Sequence, residues 1–342
     1  MTEKTINREI HLKNRPKGIP AKENFQIVET SVPEPAPGEV LVRNIFMSVD
    51  PYMRGRMREG KSYVEPFQIG QPLDGGCVGR VVRSENGPFP VGTYVLGSKG
   101  WREYYVSDGG ELTRIDPKVA PIQAFLGVVG MPGMTGYTGL LKFGRPKPGD
   151  TVFVSAAAGA VGSVVCQVAK IKGCRVIASA GSEEKLDWLK SEAEVDQTIH
   201  YKQSRNLTAE LKQKSPEGID IYYENVGGDH LEAALANMND SGRLVMCGLI
   251  SHYNAEKPPC GPGNLFNVIT KRLTMQGFIV SDHMDEYDTF LSDMAKWMRA
   301  GSIKWKETVV HGIEKAPEAF IGLFHGENFG KMLVKIGPDS PV

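Results

Sequence analysis

The residues best placed to bind an anionic cofactor form a small-residue turn, AAAGAVG at 156–162, near the middle of the 342-residue chain. A helix N-terminus carries unpaired N–H groups and a partial positive charge, which suits a pyrophosphate if no side chain blocks it. Glycine at 159 allows the backbone to approach the phosphates, and glycine at 162 allows the helix to pack closely on the strand. The AxxGxxG spacing therefore predicts a dinucleotide phosphate site made of Gly159, Ala160, Val161 and Gly162.

A glycine-rich turn is evidence for a dinucleotide site only between a strand and a helix. Residues 151–155 are rich in β-branched and aromatic side chains, as in a short buried strand. Apolar residues recur at helical spacing over 161–171, and 175–180 form the next predicted strand. The strict GxGxxG fingerprint has glycine where Ala157 stands. A small-residue turn that only packs a helix is therefore the alternative interpretation.

The rest of the chain predicts a second domain. Up to about residue 125 the sequence consists of short apolar runs broken by turns, which predicts an antiparallel barrel or sandwich. From 151 onward predicted strands and helices alternate, which indicates a doubly wound parallel sheet with the usual six strands. The last predicted strands, 304–310 and 331–336, are expected to rejoin the first domain. The predicted domains are a substrate domain of 1–125 with 303–342, and a Rossmann domain of 126–302.

Composition excludes several kinds of partner. The chain has 40 basic and 40 acidic residues and no basic stripe, which argues against nucleic acid or an anionic membrane. The charged N-terminus lacks an apolar signal core, so no signal peptide is expected. The longest weakly polar run, 155–171, contains Gln167 and Lys170, so a buried helix is expected there and not a membrane span. The five cysteines have no regular spacing, which indicates free thiols in a reducing compartment and predicts a cytoplasmic protein.

The second strand of the βαβ unit predicts the choice of cofactor. In NAD-specific folds an acidic residue at the end of this strand binds the ribose 2′-hydroxyl. Here 178–182 reads ASAGS, without an acid, and Lys185 lies one helical turn further on. Glu183 and Glu184 oppose this interpretation, although acids in the first turn of a helix are common. The pattern favours NADPH over NADH.

Several longer segments carry a family resemblance that spans nearly the whole chain. They are MSVDPYMRGRM (47–57), GMPGMTGYTGLL (130–141), AAAGAVGSVV (156–165), EGIDIYYENVGG (217–228), CGLISHYN (247–254) and GENFGKMLVKI (326–336). The chain resembles the medium-chain dehydrogenase/reductase superfamily, and within it the zinc-independent alkenal and alkenone reductases, which include prostaglandin and curcumin reductases. The resemblance implies a GroES-like β-barrel domain joined to a Rossmann domain, an NADPH-dependent enzyme and a homodimer.

The zinc pattern of the superfamily is absent from this sequence. Zinc members keep a His-Glu pair where 73–76 here reads LDGG, and no four-cysteine cluster is present. Cys247, His252 and Cys260 are the only Cys/His grouping, so no zinc is expected. Reduction of an isolated carbonyl develops a basic alkoxide that usually needs a Lewis acid. Hydride addition to an enone gives a delocalised enolate that a hydroxyl can stabilise, which favours C=C reduction.

The resemblance also implies the site residues. Tyr253 is expected to be catalytic and to donate a hydrogen bond to the substrate carbonyl, and Tyr52 and Tyr63 are expected to line the substrate pocket. The expected cofactor contacts, besides the phosphate turn and Lys185, are Thr135, Tyr201, Asn225, Cys247, Gly248, Leu249, Ile250, Ser251, Phe278, Ile279, Val280 and Asn328. Structural alternatives remain: Asn225 could stabilise a turn, Phe278 could belong to the core, and Asn328 could cap the last strand.

Together these arguments predict an NADPH-dependent reductase of small α,β-unsaturated aldehydes and ketones. Two other functions fit the same sequence. The first is an NADPH:quinone oxidoreductase on the same fold. The second is a nucleotide-binding regulatory or structural protein without turnover.

Overall fold

The computed structural model describes residues 6–338, and these form two compact units. The first unit runs up to Leu126 and resumes at Glu307, and the second is Gly127–Lys306. The strands are β1 (Ile6–Leu12), β2 (Phe25–Ser31), β3 (Val40–Ser48), β4 (Cys77–Ser84), β5 (Tyr94–Gly97), β6 (Tyr104–Ser107), β7 (Thr113–Arg114), β8 (Thr151–Val154), β9 (Arg175–Ala180), β10 (Gln197–His200), β11 (Ile219–Glu224), β12 (Met238–Met246), β13 (Thr274–Gly277), β14 (Glu307–His311) and β15 (Lys331–Lys335). The α-helices are α1 (Met53–Arg56), α2 (Met131–Thr138), α3 (Gly162–Ile171), α4 (Glu183–Ser191), α5 (Leu207–Lys214), α6 (Asp229–Asn237), α7 (Asn267–Thr270), α8 (Tyr287–Arg299) and α9 (Ala316–Gly322).

The first unit is built on a seven-stranded sheet. Its order is β14-β15-β3-β4-β5-β7, with β6 also paired to β3, and β1 and β2 form a separate antiparallel pair. The pairing of β15 with β3 brings a late segment of the chain into the early sheet. Trp101, Phe25 and Phe320 pack together in the core, with ring centroids 6.0–6.3 Å apart.

The second unit is a six-stranded parallel sheet in the order β10-β9-β8-β11-β12-β13. Counting from β8, this is the 3-2-1-4-5-6 order of a dinucleotide-binding fold. All four residues of β8 are buried, because helices cover both faces of such a sheet. The predicted α/β class, with an N-terminal sheet domain and a Rossmann-type sheet, is confirmed.

Local details differ from the sequence expectations. The pattern missed α9, a single short helix that has too few residues for a clear periodicity. From the sequence alone a strand is expected over 243–247, whereas β12 runs from Met238 to Met246. Ser182 is the N-cap residue of α4, but its side chain makes no capping hydrogen bond. Within residues 6–338 no helix combines the length and apolar character needed to cross a bilayer.

Candidate functional site

The expected cofactor residues of the second unit lie at one edge of its parallel sheet. Each group follows the carboxyl end of a strand, and the groups are Gly159–Gly162 after β8, Lys185 after β9, Tyr201 after β10, Asn225 after β11, Cys247–Ser251 after β12 and Phe278–Val280 after β13. Thr135 lies in α2 instead. Ligands of open parallel sheets bind outside the carboxyl ends of the strands, where the strand order reverses. Here that reversal lies between β8 and β11.

The turn after β8 leaves the N-terminus of α3 accessible to an anion. Ala156 has a positive φ of 49°, and the Ala157 N–H donates to the Ser179 carbonyl at 3.0 Å. A Cβ atom at Gly162 would lie 2.5 Å from the Ala156 carbonyl oxygen, so only glycine fits there. Helix α3 has no side-chain cap and no acid in its first turn. The N–H groups of residues 163–165 already donate to carbonyls of this turn, so the N–H groups that could meet a phosphate are those of residues 160–162, within the predicted turn.

Two lysines lie near the ends of β9 and β10. The pKa of Lys185 is lowered, first by burial and then by the positive charge of Lys202. The ammonium groups of the two lysines therefore repel each other. A Cβ atom at Gly181 would lie 2.9 Å from the Tyr201 hydroxyl and 3.0 Å from Cε of Lys202. The side chains of Tyr201 and Lys202 therefore cross the end of β9, where an NADP 2′-phosphate binds in this fold. Sequence reasoning missed Lys202, although a lysine next to Tyr201, just after β10, was a usable signal.

Hydrogen bonds join the two sides of the strand reversal. The Asn225 backbone N–H donates to the Ser155 hydroxyl at 2.9 Å, and its side-chain amide donates to the Ser155 carbonyl at 2.8 Å. Asn225 therefore does stabilise this turn. Its backbone carbonyl also accepts the Ile250 N–H at 3.1 Å, which connects the turn to the segment after β12.

Glu224, which sequence reasoning also missed, is the central acceptor of this region. It is fully buried, and its Oε1 accepts the N–H groups of Val226 (2.6 Å) and Gly227 (2.9 Å) and the hydroxyls of Tyr222 (2.7 Å) and Ser155 (3.2 Å). Burial raises the pKa of Glu224 even though these donors act in the opposite direction. A carboxylate at the end of a largely apolar strand, directly before the expected contact Asn225, was the available signal.

The segment 247–253 packs on the turn that Glu224 holds. The N–H groups of Cys247 and Gly248 donate to the Glu224 carbonyl at 3.0 Å, and the N–H and hydroxyl of Ser251 donate to the Val226 carbonyl at 3.0 and 2.5 Å. A Cβ atom at Gly227, whose φ is +83°, would lie 3.1 Å from the Ser251 hydroxyl. Glycine at 227 therefore allows this segment to lie close to the turn.

Tyr253 is the last residue of this segment and is half-buried. Its hydroxyl oxygen accepts a long hydrogen bond of 3.4 Å from the Leu249 N–H, and a Cβ atom at Gly248 would lie 3.0 Å from the same oxygen. The hydroxyl thus lies over the backbone of residues 248 and 249.

Thr135 and Phe278 lie close to Tyr223 of β11. The Tyr223 hydroxyl donates to the Thr135 carbonyl at 2.8 Å, while the Thr135 hydroxyl donates within its own helix to Met131 at 2.7 Å. A Cβ atom at Gly139 would lie 2.3 Å from the Tyr223 hydroxyl and 2.8 Å from the Phe278 ring. Burial raises the pKa of Cys247 to about 12, so its thiol is neutral.

The remaining expected residues lie in the first unit. Tyr52 is half-buried, and burial and Asp50 raise its pKa, with a smaller contribution from Tyr63. Tyr63 is 62% exposed. The Asn328 side chain donates to the Gly330 carbonyl at 2.9 Å, ahead of β15. Tyr52 and Tyr63 are therefore near enough for Tyr63 to affect the pKa of Tyr52. Asn328 stabilises the turn before β15 through its side-chain hydrogen bond.

The described part of the chain, 6–338, contains no group of three His, Cys, Asp or Glu side chains arranged to hold a metal. Cys247, His252 and Cys260 thus do not form such a group. All five cysteines are free, and Cys77, Cys166 and Cys174 are buried.

Comparison with known proteins covers nearly the whole chain. Residues 8–115 match the family model described as the N-terminal domain of oxidoreductase, and 160–296 match the model described as zinc-binding dehydrogenase. The chain is 46% identical over 335 residues to a putative NADP-dependent oxidoreductase of Bacillus subtilis, covering 97% of this chain and 98% of that protein. It is 45% identical over 343 residues to the NADP(+)-dependent 2-alkenal reductase of Nicotiana tabacum, covering 98% and 99%.

A solved structure is similar over the same extent. The crystal structure of CurA from Vibrio vulnificus in complex with NADPH has a TM-score of 0.93 and 44% sequence identity, covering 97% of this chain and 99% of that chain.

Proposed function

The chain belongs to the alkenal, curcumin and prostaglandin reductase group of the medium-chain dehydrogenase/reductase family, and from this membership we propose that it reduces the C=C bond of α,β-unsaturated aldehydes and ketones with NADPH. Curcumin-like enones fall within this substrate class. The observation that carries the proposal is the gathering of the phosphate turn, two lysines and segment 247–253 at one edge of the parallel sheet. That edge is where this fold binds a dinucleotide.

The residues at this edge suit NADPH along its length. The turn of residues 159–162 at the N-terminus of α3 would hold the pyrophosphate, because the helix dipole and the turn's N–H groups attract an anion and Gly159 has no side chain to block its approach. Lys185, Lys202 and Tyr201 would hold the 2′-phosphate, since two ammonium groups and a hydroxyl match a dianionic group. Asn225, the segment 247–251 and the segment 278–280 would face the nicotinamide half, and we keep Thr135 and Asn328 as proposed contacts.

The proposed chemistry needs one oriented hydrogen-bond donor from the protein. When bound, NADPH supplies the hydride that adds to the β-carbon of the enone. Tyr253 donates a hydrogen bond to the carbonyl oxygen, where negative charge develops, and delocalisation of that charge makes a neutral donor sufficient. The α-carbon then receives a proton from solvent or through Tyr253. Tyr52 and Tyr63 are the proposed substrate contacts of the first unit, and no metal takes part in the proposed reaction.

A product assay tests this proposal directly. Enals, enones and quinones are incubated with NADPH or NADH, products are identified by NMR, and bound metal is measured on the same sample. We expect saturated aldehydes and ketones, a preference for NADPH and no stoichiometric zinc. Hydroquinones as the preferred products would indicate the quinone reductase instead, and NADPH binding without oxidation would indicate a protein without turnover.

Tyr253→Phe tests the proposed donor. Loss of a positioned donor typically lowers kcat by about 10²-fold, so turnover should fall while NADPH still binds. Tyr104→Phe is the matched control, because Tyr104 lies in β6 outside the site and its ring contacts Arg43. Full turnover by Tyr253→Phe would remove this residue from the mechanism.

We also propose a cytoplasmic homodimer. Buried free thiols suit a reducing compartment. Strand β13 lies at one edge of its sheet, and Leu265, Phe266 and Ile269, which precede it, are 51%, 67% and 70% exposed. An open edge beside exposed apolar side chains suits pairing with a second copy. Sedimentation equilibrium should give twice the chain mass, and a monomer at all concentrations would contradict the proposal.

A further inference from the structure

His230 is a buried residue of the second unit that the proposed mechanism does not use. It lies in the first turn of α6 and is 4% exposed. Its Nε2 is 2.9 Å from the Ser179 hydroxyl, which is fully buried in β9. This contact fixes the imidazole against the strand whose end carries the proposed 2′-phosphate residues.

The imidazole forms the support for Tyr201. The two rings meet edge to face with centroids 5.1 Å apart and an interplanar angle of 68°. On its other side the His230 ring stacks with Phe153 of β8 at 6.4 Å and 10°. Tyr201 is 37% exposed, and the buried His230 ring is the neighbour that packs edge to face against its ring.

The charge state of His230 limits its role to positioning. Burial lowers its pKa to about 4, against a smaller opposite effect of Asp229. The imidazole is therefore neutral near pH 7 and adds no charge to the site. The contact that leads from His230 to a bound phosphate is the Tyr201 ring, whose hydroxyl lies beside Gly181.

We propose that His230 is a positioning residue that holds Tyr201 in place for the 2′-phosphate, and so sets part of the preference for NADPH over NADH. The inference rests on the proposed NADPH site, but it does not depend on which substrate is reduced. Edge-to-face aromatic pairs are strong enough that loss of this one should lower the preference ~3- to 10-fold.

The test measures binding rather than turnover. Dissociation constants for 2′,5′-ADP and 5′-ADP are determined by calorimetry for the wild type, His230→Ala, His230→Phe, Tyr201→Ala and the double variant His230→Ala/Tyr201→Ala. We expect His230→Ala to weaken only 2′,5′-ADP binding, and His230→Phe to keep most of the preference because it keeps a ring against Tyr201. The double variant should match Tyr201→Ala, since His230 acts through that residue.

Leu235→Ala is the matched control. Leu235 is fully buried in the same helix, so its truncation reports general destabilisation without touching Tyr201. If His230→Ala does not fold, Ser179→Ala releases the imidazole instead and should shift the same ratio. Equal weakening of both nucleotides, additive effects in the double variant, or an unchanged ratio in the folded variants would overturn the inference. A wild type without preference for 2′,5′-ADP would instead contradict the proposed NADPH site.

Discussion

Replacement of Glu224 by alanine should unfold this protein more easily than most single substitutions. Oε1 of Glu224 accepts two backbone N–H groups, from Val226 and Gly227, and alanine would remove this acceptor from both. Tyr222 keeps a second partner, because its hydroxyl also donates to Ser155 at 3.1 Å. A buried donor without an acceptor costs ~1–3 kcal/mol, so two of them give a loss of ~2–6 kcal/mol. That is a large part of a typical stability of ~5–15 kcal/mol.

Urea unfolding followed by circular dichroism measures this loss, and Glu224→Gln is its control. Glutamine keeps an oxygen where Oε1 lies, so the Val226 and Gly227 N–H groups keep their acceptor. Its amide replaces Oε2, which already has no hydrogen-bond partner within residues 6–338, so one unpaired buried group is exchanged for another. We therefore expect glutamine to cost less than half as much as alanine. An alanine variant within about 1 kcal/mol of the wild type, or a glutamine variant as unstable as alanine, would refute the reasoning.

Three further predictions follow from the same region. Because burial raises the native pKa of Glu224, the folded chain binds this proton more tightly than the unfolded chain, so wild-type stability falls as pH rises from 4.5 to the raised value. Glu224→Gln lacks this titration and should gain stability relative to the wild type over that window in urea unfolding; a constant difference would contradict it. Lys185→Ala should raise the KM for NADPH ~10- to 100-fold and leave that for NADH unchanged in initial-rate assays, whereas equal changes would place Lys185 away from the 2′-phosphate. Gly162→Ala should cost ~1–3 kcal/mol and weaken NADPH binding, because its Cβ would lie 2.5 Å from the Ala156 carbonyl oxygen. In thermal unfolding Gly87→Ala is the control, with no atom within 4 Å of its Cβ, and equal behaviour of the two variants would contradict the packing argument.

The sequence predicts the architecture of the second unit well because periodicity and small-residue turns are local signals. The strand at 175–180 has the predicted bounds. The strand order follows from the right-handed connections of βαβ units, so the edge at which the cofactor residues gather could be inferred before any coordinates.

The supporting residues of the site were not predictable in the same way. Glu224, His230 and Lys202 gain their roles from neighbours that are distant in sequence: Ser155 contacts Glu224 across 69 positions, and Ser179 contacts His230 across 51. No local pattern reports such pairs. The short helix α9 was missed for a different reason, since its seven residues include too little of a period to distinguish it from a loop.

The return of β14 and β15 to the first sheet has a consequence for biosynthesis. On a ribosome the second unit is one continuous segment and can fold as soon as it emerges, whereas the first lacks β15 until much later. Lys331 of β15 is buried, and its ammonium group bonds Asp50 at 3.0 Å and the Val49 carbonyl at 2.9 Å. Until Lys331 is translated, the Asp50 carboxylate of the nascent first unit lacks its lysine partner, and β3 lacks its pairing with β15. The earliest-made segment of this protein therefore matures last, and nascent chains stalled before residue 331 should be the ones that chaperones retain.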